Sequence, residues 1–197
     1  MVYPHQRSSQ RARHARRLTL AENTFRRKIW RKRAFHLLLF IVLIAGIRTW
    51  QQRDMVSGVA PPLQGALLGG SVYALPARPA QPVLVHFWAT WCPICRAEQA
   101  TIAAIAQDRP NTITVAMQSS SDAAVAKHLA GQGLRFPVLN DADGRLSSAW
   151  GVHAVPASFI ISPDGRIRFV EVGYTTAFGL RFRLWLAGIM GQVWLTD

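Results

Sequence analysis

"FWATWCPICRAE", Phe87 to Glu98, holds the only two cysteines of a 197-residue chain, with a proline and an isoleucine between them. Overlapping it is "PVLVHFWA", Pro82 to Ala89, a short apolar run rich in β-branched and aromatic side chains and opened by proline. That composition predicts a buried strand. From Cys92 the pattern becomes helical, with Ile94, Ile102 and Ile105 among alanines, ending before Pro110. A strand ending at Thr90 therefore delivers Cys92 to a helix N-terminus, where unpaired N–H groups and the macrodipole favour an anion. Cys92 is expected to be the attacking thiolate, with a lowered pKa and open to solvent. Cys95, one turn on and facing inward, is within disulfide reach and is expected to be the resolving thiol. Pro93 suits the first turn, where its missing N–H breaks no helical bond.

Working outward, "TITVAMQ" (Thr112 to Gln118) predicts the next strand. "SDAAVAKHLAGQG" supplies an N-cap at Ser121 or Asp122, a helix burying Val125 and Leu129, and a stop at Gly131. A short strand at Val138 and Leu139, a "DADG" turn and a brief helix from Leu146 to Trp150 follow. "ASFIIS" and "RIRFVEV", joined by "PDG", predict an antiparallel hairpin. "AFGLRFRLWLAGIM" predicts a closing helix with Leu180, Leu184 and Trp185 facing in. Before the cysteines, Leu63 to Leu75 reads as two short strands around Gly69 and Gly70. The order of strands and helices gives an α/β sandwich around a mixed sheet.

The net charge of +13 is unevenly spread. Met1 to Arg33 carries 11 of the 23 Lys and Arg residues and one acid, Glu22, so the remaining chain is only mildly basic. "AFHLLLFIVLIAGI", Ala34 to Ile47, follows without a formal charge. As a helix it spans about 21 Å, against roughly 30 Å of bilayer hydrocarbon. Extending the span from Trp30 to Trp50 reaches about 31 Å, with Arg33 and Arg48 snorkelling. The expected organisation is a basic cytoplasmic segment (1–33), a single transmembrane anchor (34–50), a Gly/Pro-rich linker (51–62) and a folded domain (63–197). A cleaved signal peptide is the competing reading, opposed by the long basic segment and the lack of a small-x-small site after the apolar run. The basic side is expected to stay in the cytoplasm, which puts the domain across the membrane. Topogenic use accounts for the cations, so no nucleic-acid partner is expected.

Two other uses compete for the pair. CxxC is half a zinc site, and His86, His128 and His153 are the available histidines, but no second pair sits at ligand spacing, so no metal is expected. A purely structural disulfide would close too short a loop to constrain the unfolded chain much.

"FWATWCPICRAE" followed by "GVHAVPASFIISPDGRI" (residues 151–167) resembles the membrane-anchored thioredoxin-like proteins of bacteria, the group that includes the reductases of cytochrome c maturation. "TVAMQ", "FPVLNDADG" and "RFVEVGYTT" bring it nearer to the suppressor-for-copper-sensitivity D type. The resemblance implies a thioredoxin-like sandwich with an inserted helix and strand between Thr112 and Trp150. It implies Cys92 and Cys95 as the redox pair, Pro156 as a cis-proline lying against them, and Glu98 as an acid modulating thiol protonation. The bland alternative for Glu98 is an exposed helix carboxylate paired with Arg96. Trp88, Trp91, Pro93, Ile94 and Val155 fall at the substrate-facing positions.

His86 stands where thioredoxin has a buried aspartate, so it is either a proton shuttle or a satisfied core group. Ala157 replaces the acid that some cytochrome-maturation reductases carry after the proline. The implied activity is thiol-disulfide exchange in the periplasm by an inner-membrane protein, on thiols or disulfides of envelope proteins. It needs no cofactor beyond the redox-active disulfide and leans towards a reductant fed by a membrane electron donor. The alternative is a Cu(I) chaperone of thioredoxin fold, using the two thiolates and a histidine such as His153.

Overall fold

The computed structural model describes residues 30, 32–33, 35–44, 46 and 55–193. Two compact units are present, Met1–Trp50 and Gln51–Asp197. In the first, the described residues are helical, and Phe35, Leu39 and Leu43 are exposed. Among the described residues no helix is long and apolar enough to cross a membrane. The span expected at 34–50 includes residues 34, 45 and 47–50, which lie outside the described residues, as does most of the basic segment.

The second unit runs β1 (Gly58–Val59), β2 (Gln64–Ala66), β3 (Val72–Ala74), β4 (Val83–Trp88), α1 (Pro93–Asp108), β5 (Thr112–Met117), α2 (Asp122–Gly131), β6 (Val138–Asp141), α3 (Arg145–Ala149), β7 (Ala157–Ile161), β8 (Arg166–Val172) and α4 (Ala177–Val193). Six strands form one mixed sheet in the order β1-β8-β7-β4-β5-β6, while β2 and β3 pair separately as an antiparallel hairpin. β4 runs parallel to β5 and antiparallel to β7. This is the expected α/β sandwich around a mixed sheet, with a helix and a strand, α2 and β6, between Thr112 and Trp150.

β4 sits near the middle of the sheet because both of its faces are apolar. Val83, Val85 and Phe87 pack with Ile113, Val115, Phe159 and Trp150 on one face. On the other, Leu84 joins Ile102 and Ile105 of α1 and Leu180 and Leu184 of α4, and Trp88 joins both cysteines, Val125 and Leu129. A strand buried on both sides reads as an unbroken apolar run, and His86 is the one polar interruption.

Two predicted details differ. Trp185 is 56% exposed, because α4 turns Leu180, Leu184 and Ala187 to the core and leaves Trp185 stacked on Phe182 at the surface. Gly131 is the last residue of α2 and does not stop it in a left-handed conformation; Gly133, with φ of 65°, takes that role. Gly165, in the β7–β8 turn, has φ of 79°, and a Cβ there would meet the Ala77 carbonyl oxygen at 1.9 Å, so only glycine fits.

Asp141, buried at the end of β6, fixes the chain that returns towards the cysteines. Gly144 gives α3 no side-chain cap, and Asp141 supplies one from further back. Its Oδ1 accepts from the Leu146 amide at 2.9 Å, and its Oδ2 from the Ser147 amide and hydroxyl at 2.8 and 2.6 Å. Asp141→Ala leaves three donors without this acceptor and is expected to lower stability by about 2 kcal/mol, read as a reduced denaturant midpoint at unchanged slope.

Candidate active site

The end of β4 and the start of α1 build the site. Cys92 is the N-cap of α1, with extended backbone (φ −90°, ψ 112°), and Pro93 is the first helical residue. The Cys95 amide donates to Cys92 Sγ at 3.0 Å, so a backbone N–H is already aimed at the sulfur expected to carry charge. The two cysteines are joined in a disulfide with their Cα atoms 5.3 Å apart. Cys95 is fully buried, as expected.

Cys92 corrects the expectation of an open sulfur: the residue is only 4% exposed. The reason is the segment before β7. Its Val155–Pro156 bond is cis, Pro156 is buried, Val155 is half-buried, and the Val155 carbonyl oxygen lies 3.6 Å from Cys92 Sγ. Around this covered sulfur, Trp91 is 59% exposed, and Pro93 and Ile94 are exposed too. The Trp91 indole N–H donates to the Gln118 carbonyl at 3.2 Å, which steadies the ring at the surface. Trp88 leaves the substrate-facing set. It is fully buried, donates its indole N–H to Thr114 Oγ1 at 3.2 Å, and packs edge-on to Phe136, because strand alternation turns it inward.

Glu98 is buried, not an exposed carboxylate paired with Arg96. It sits one helical turn past Cys95, and residues at that spacing share a face. Its Oε1 accepts from the Thr175 amide at 3.2 Å, while Oε2 is buried without a hydrogen-bond partner. Burial pushes its carboxyl up to about 7, against the smaller opposing pull of the Thr175 amide. His86 is buried too, and burial pushes its ring down to about 3, so it stays neutral at ordinary pH. Its Nδ1 is 2.9 Å from Ser158 Oγ, and its Nε2 has no partner. One ring nitrogen thus behaves as a satisfied core group, while the other remains unpaired.

Reading the sequence did not single out Thr175, Ser158 or Ser119, whose hydroxyl accepts from the Thr90 amide at 3.0 Å. Ser158 faces His86 in the register of β4 and β7, a signal available only once that pairing is known. Among the described residues, no group of three His, Cys, Asp or Glu side chains comes together.

A protected disulfide between the N-cap and first turn of a helix, covered by a proline loop, can accept an electron pair and return it. Comparison with known proteins agrees. The profile of the Redoxin family matches residues 55–178. A thioredoxin-like protein of Haemophilus influenzae is 27% identical over 81% of this chain and 96% of its own length. A DsbE homolog of Paracoccus denitrificans, named a thiol:disulfide interchange protein, is 38% identical over 60% of this chain and 67% of its own. The crystal structure of StoA from Bacillus subtilis, 24% identical, shares the fold with a TM-score of 0.56, covering 63% of this chain and 96% of that one.

Proposed function

Since the chain belongs to the Redoxin family and is a thioredoxin-like protein disulfide oxidoreductase, we propose that it is a membrane-anchored reductant of envelope protein disulfides. The observation that carries the chemistry is the Cys92–Cys95 disulfide at the start of α1, with the Cys95 amide on Cys92 Sγ. In the reduced protein the Cys92 thiolate attacks one sulfur of a partner disulfide, and the partner's other sulfur leaves as a thiolate. Cys95 then attacks Cys92, the intramolecular disulfide forms, and the partner departs fully reduced. Two electrons pass to the partner and two protons are shared between leaving thiolates and nearby acids. No bound cofactor is required.

Glu98, one turn beyond Cys95 and poised near neutrality, is the base we assign to take the proton of the resolving thiol. Trp91, Pro93, Ile94 and Val155 form the rim that a partner must displace or bind, and the cis Pro156 loop lies over the disulfide. His86 supports the site from below as a neutral ring; its part in proton transfer rests on the unpaired Nε2.

Anchorage rests on the apolar stretch from Ala34 to Ile47 flanked by a strongly basic segment, and the positive-inside bias would leave the domain in the periplasm. A reductant working there needs electrons from a membrane donor, since its surroundings are oxidising. The reduction potential tests the direction. A value near that of thioredoxin, about −270 mV, is expected; one near that of DsbA, about −120 mV, would make the protein an oxidant. Copper carriage is tested separately by titrating the reduced protein with Cu(I). Tight one-to-one binding without disulfide exchange would replace the present reading.

A further inference from the structure

Beside the disulfide is a groove of about 540 Å³ whose lining includes Thr90, Arg96, Lys127, His128 and Gln132. Thr90 and Arg96 bracket the Cys92–Cys95 turn in sequence, so the groove adjoins the reacting sulfurs. α2 contributes Lys127 and His128 to it, and Gln132 is the C-cap of the same helix.

The charge in this groove is of one sign. Arg96 and Lys127 are both exposed, and neither pairs with a carboxylate among the described residues. Other cations do: Arg145, Arg168, Arg181 and Arg183 each hold an acid. His128 adds no charge. Burial, and after it the Arg96 guanidinium, pushes its ring below the usual histidine range. Gln132 Nε2 lies 2.8 Å from His128 Nε2, and Gln99 lies 3.3 Å away, holding the ring against Trp88 beneath. The result is a groove whose lining holds two cations and no acid, with Arg96 next in the chain to Cys95.

We infer that this groove docks an acidic segment of the partner protein, so that the favoured substrates carry Asp or Glu close to the disulfide they surrender. The inference deepens the oxidoreductase reading and rests on it. A carboxylate seated between Arg96 and Lys127 gains Coulomb attraction at the surface, and its main effect is on encounter rate and selectivity.

The test mixes the fully reduced full-length protein rapidly with three synthetic peptides, each closed by one internal disulfide and flanked by aspartates, serines or lysines. Exchange oxidises the protein dithiol and reduces the peptide, and its second-order rate is read. At low ionic strength the aspartate peptide is expected to react about tenfold faster than the lysine peptide, the gap shrinking at high salt. Lys127→Glu should erase or reverse that preference while leaving the reduction potential unchanged. Arg78→Glu, which removes an exposed cation outside the groove, should retain it and so accounts for general attraction to a basic chain. Equal rates for all peptides, or equal effects of the two substitutions, would overturn the groove and leave the oxidoreductase standing. Failure of every peptide to exchange would remove both.

Discussion

Cys92→Ser is expected to reduce disulfide exchange to the uncatalysed background, whereas Cys95→Ser should arrest it halfway, as a stable mixed disulfide between Cys92 and the partner. The contrast follows from the geometry. Cys92 is the N-cap sulfur, with the Cys95 amide pointing at it, and a serine oxygen there keeps the cap but has almost no thiolate-like nucleophilicity. Cys95 is fully buried one turn away, so it meets nothing but Cys92 and serves only to release the partner. Non-reducing gels of envelope fractions from cells carrying Cys95→Ser should show a slower band that collapses with dithiothreitol, and mass spectrometry of it names the partner. A Cys95→Ser protein with no adduct and full turnover would show that the order of attack is wrong. Equal and complete loss in both variants without adduct would deny the two-step scheme altogether.

The second large effect concerns Glu98 and pH. Its carboxyl is buried, one oxygen holds only the Thr175 amide, and its pKa is pushed up to about 7 from the usual 4.5. Between those two values the folded protein keeps a proton that the unfolded chain has released. Stability therefore falls as pH rises through that window, and the penalty is fully present above about pH 7. The shift bounds its size at about 3 kcal/mol. Glu98→Gln keeps an acceptor for Thr175 and removes the ionisation. It is expected to match the native protein in stability near pH 4.5 and to exceed it increasingly up to pH 8, measured by urea unfolding of the oxidised proteins at each pH. If the two curves run parallel, the carboxyl is not held protonated. The same substitution should blunt the pH dependence of the resolving step near neutrality, since the group that takes the proton from Cys95 is gone.

How much of this was visible in the amino-acid order depends on the range of the interaction. The β4–α1 junction was legible because it is written locally: an apolar run, a cysteine at the cap and a proline at the first helical position. The β7–β8 hairpin was legible for the same reason, with "PDG" stating its turn. Trp185 was misplaced because helical spacing marks an apolar stripe but not how much of that stripe the sheet covers. Glu98 was identified from resemblance alone, and its burial depends on Thr175, a residue far away in the chain that only the packing of α4's approach against α1 brings close. The cover over Cys92 likewise comes from Val155 on a distant segment. The groove was illegible for a further reason: Arg96 and Lys127 look like ordinary solvated cations until the fold sets them in the lining of one groove.

The short lead before β4 carries a consequence for solubility. β1 pairs with one outer strand of the sheet, β8, and the turn of the β2–β3 hairpin closes on the other, through the Leu67–Leu139 bridge and the Leu68 amide on the Val138 carbonyl. One stretch of about twenty residues thus blunts both rims, where unpaired backbone would otherwise invite strands from neighbouring molecules. A chain trimmed to begin at Pro82 would keep its cysteines and lose both guards at once, and intermolecular β-sheet, seen as thioflavin-positive precipitate, is its expected fate.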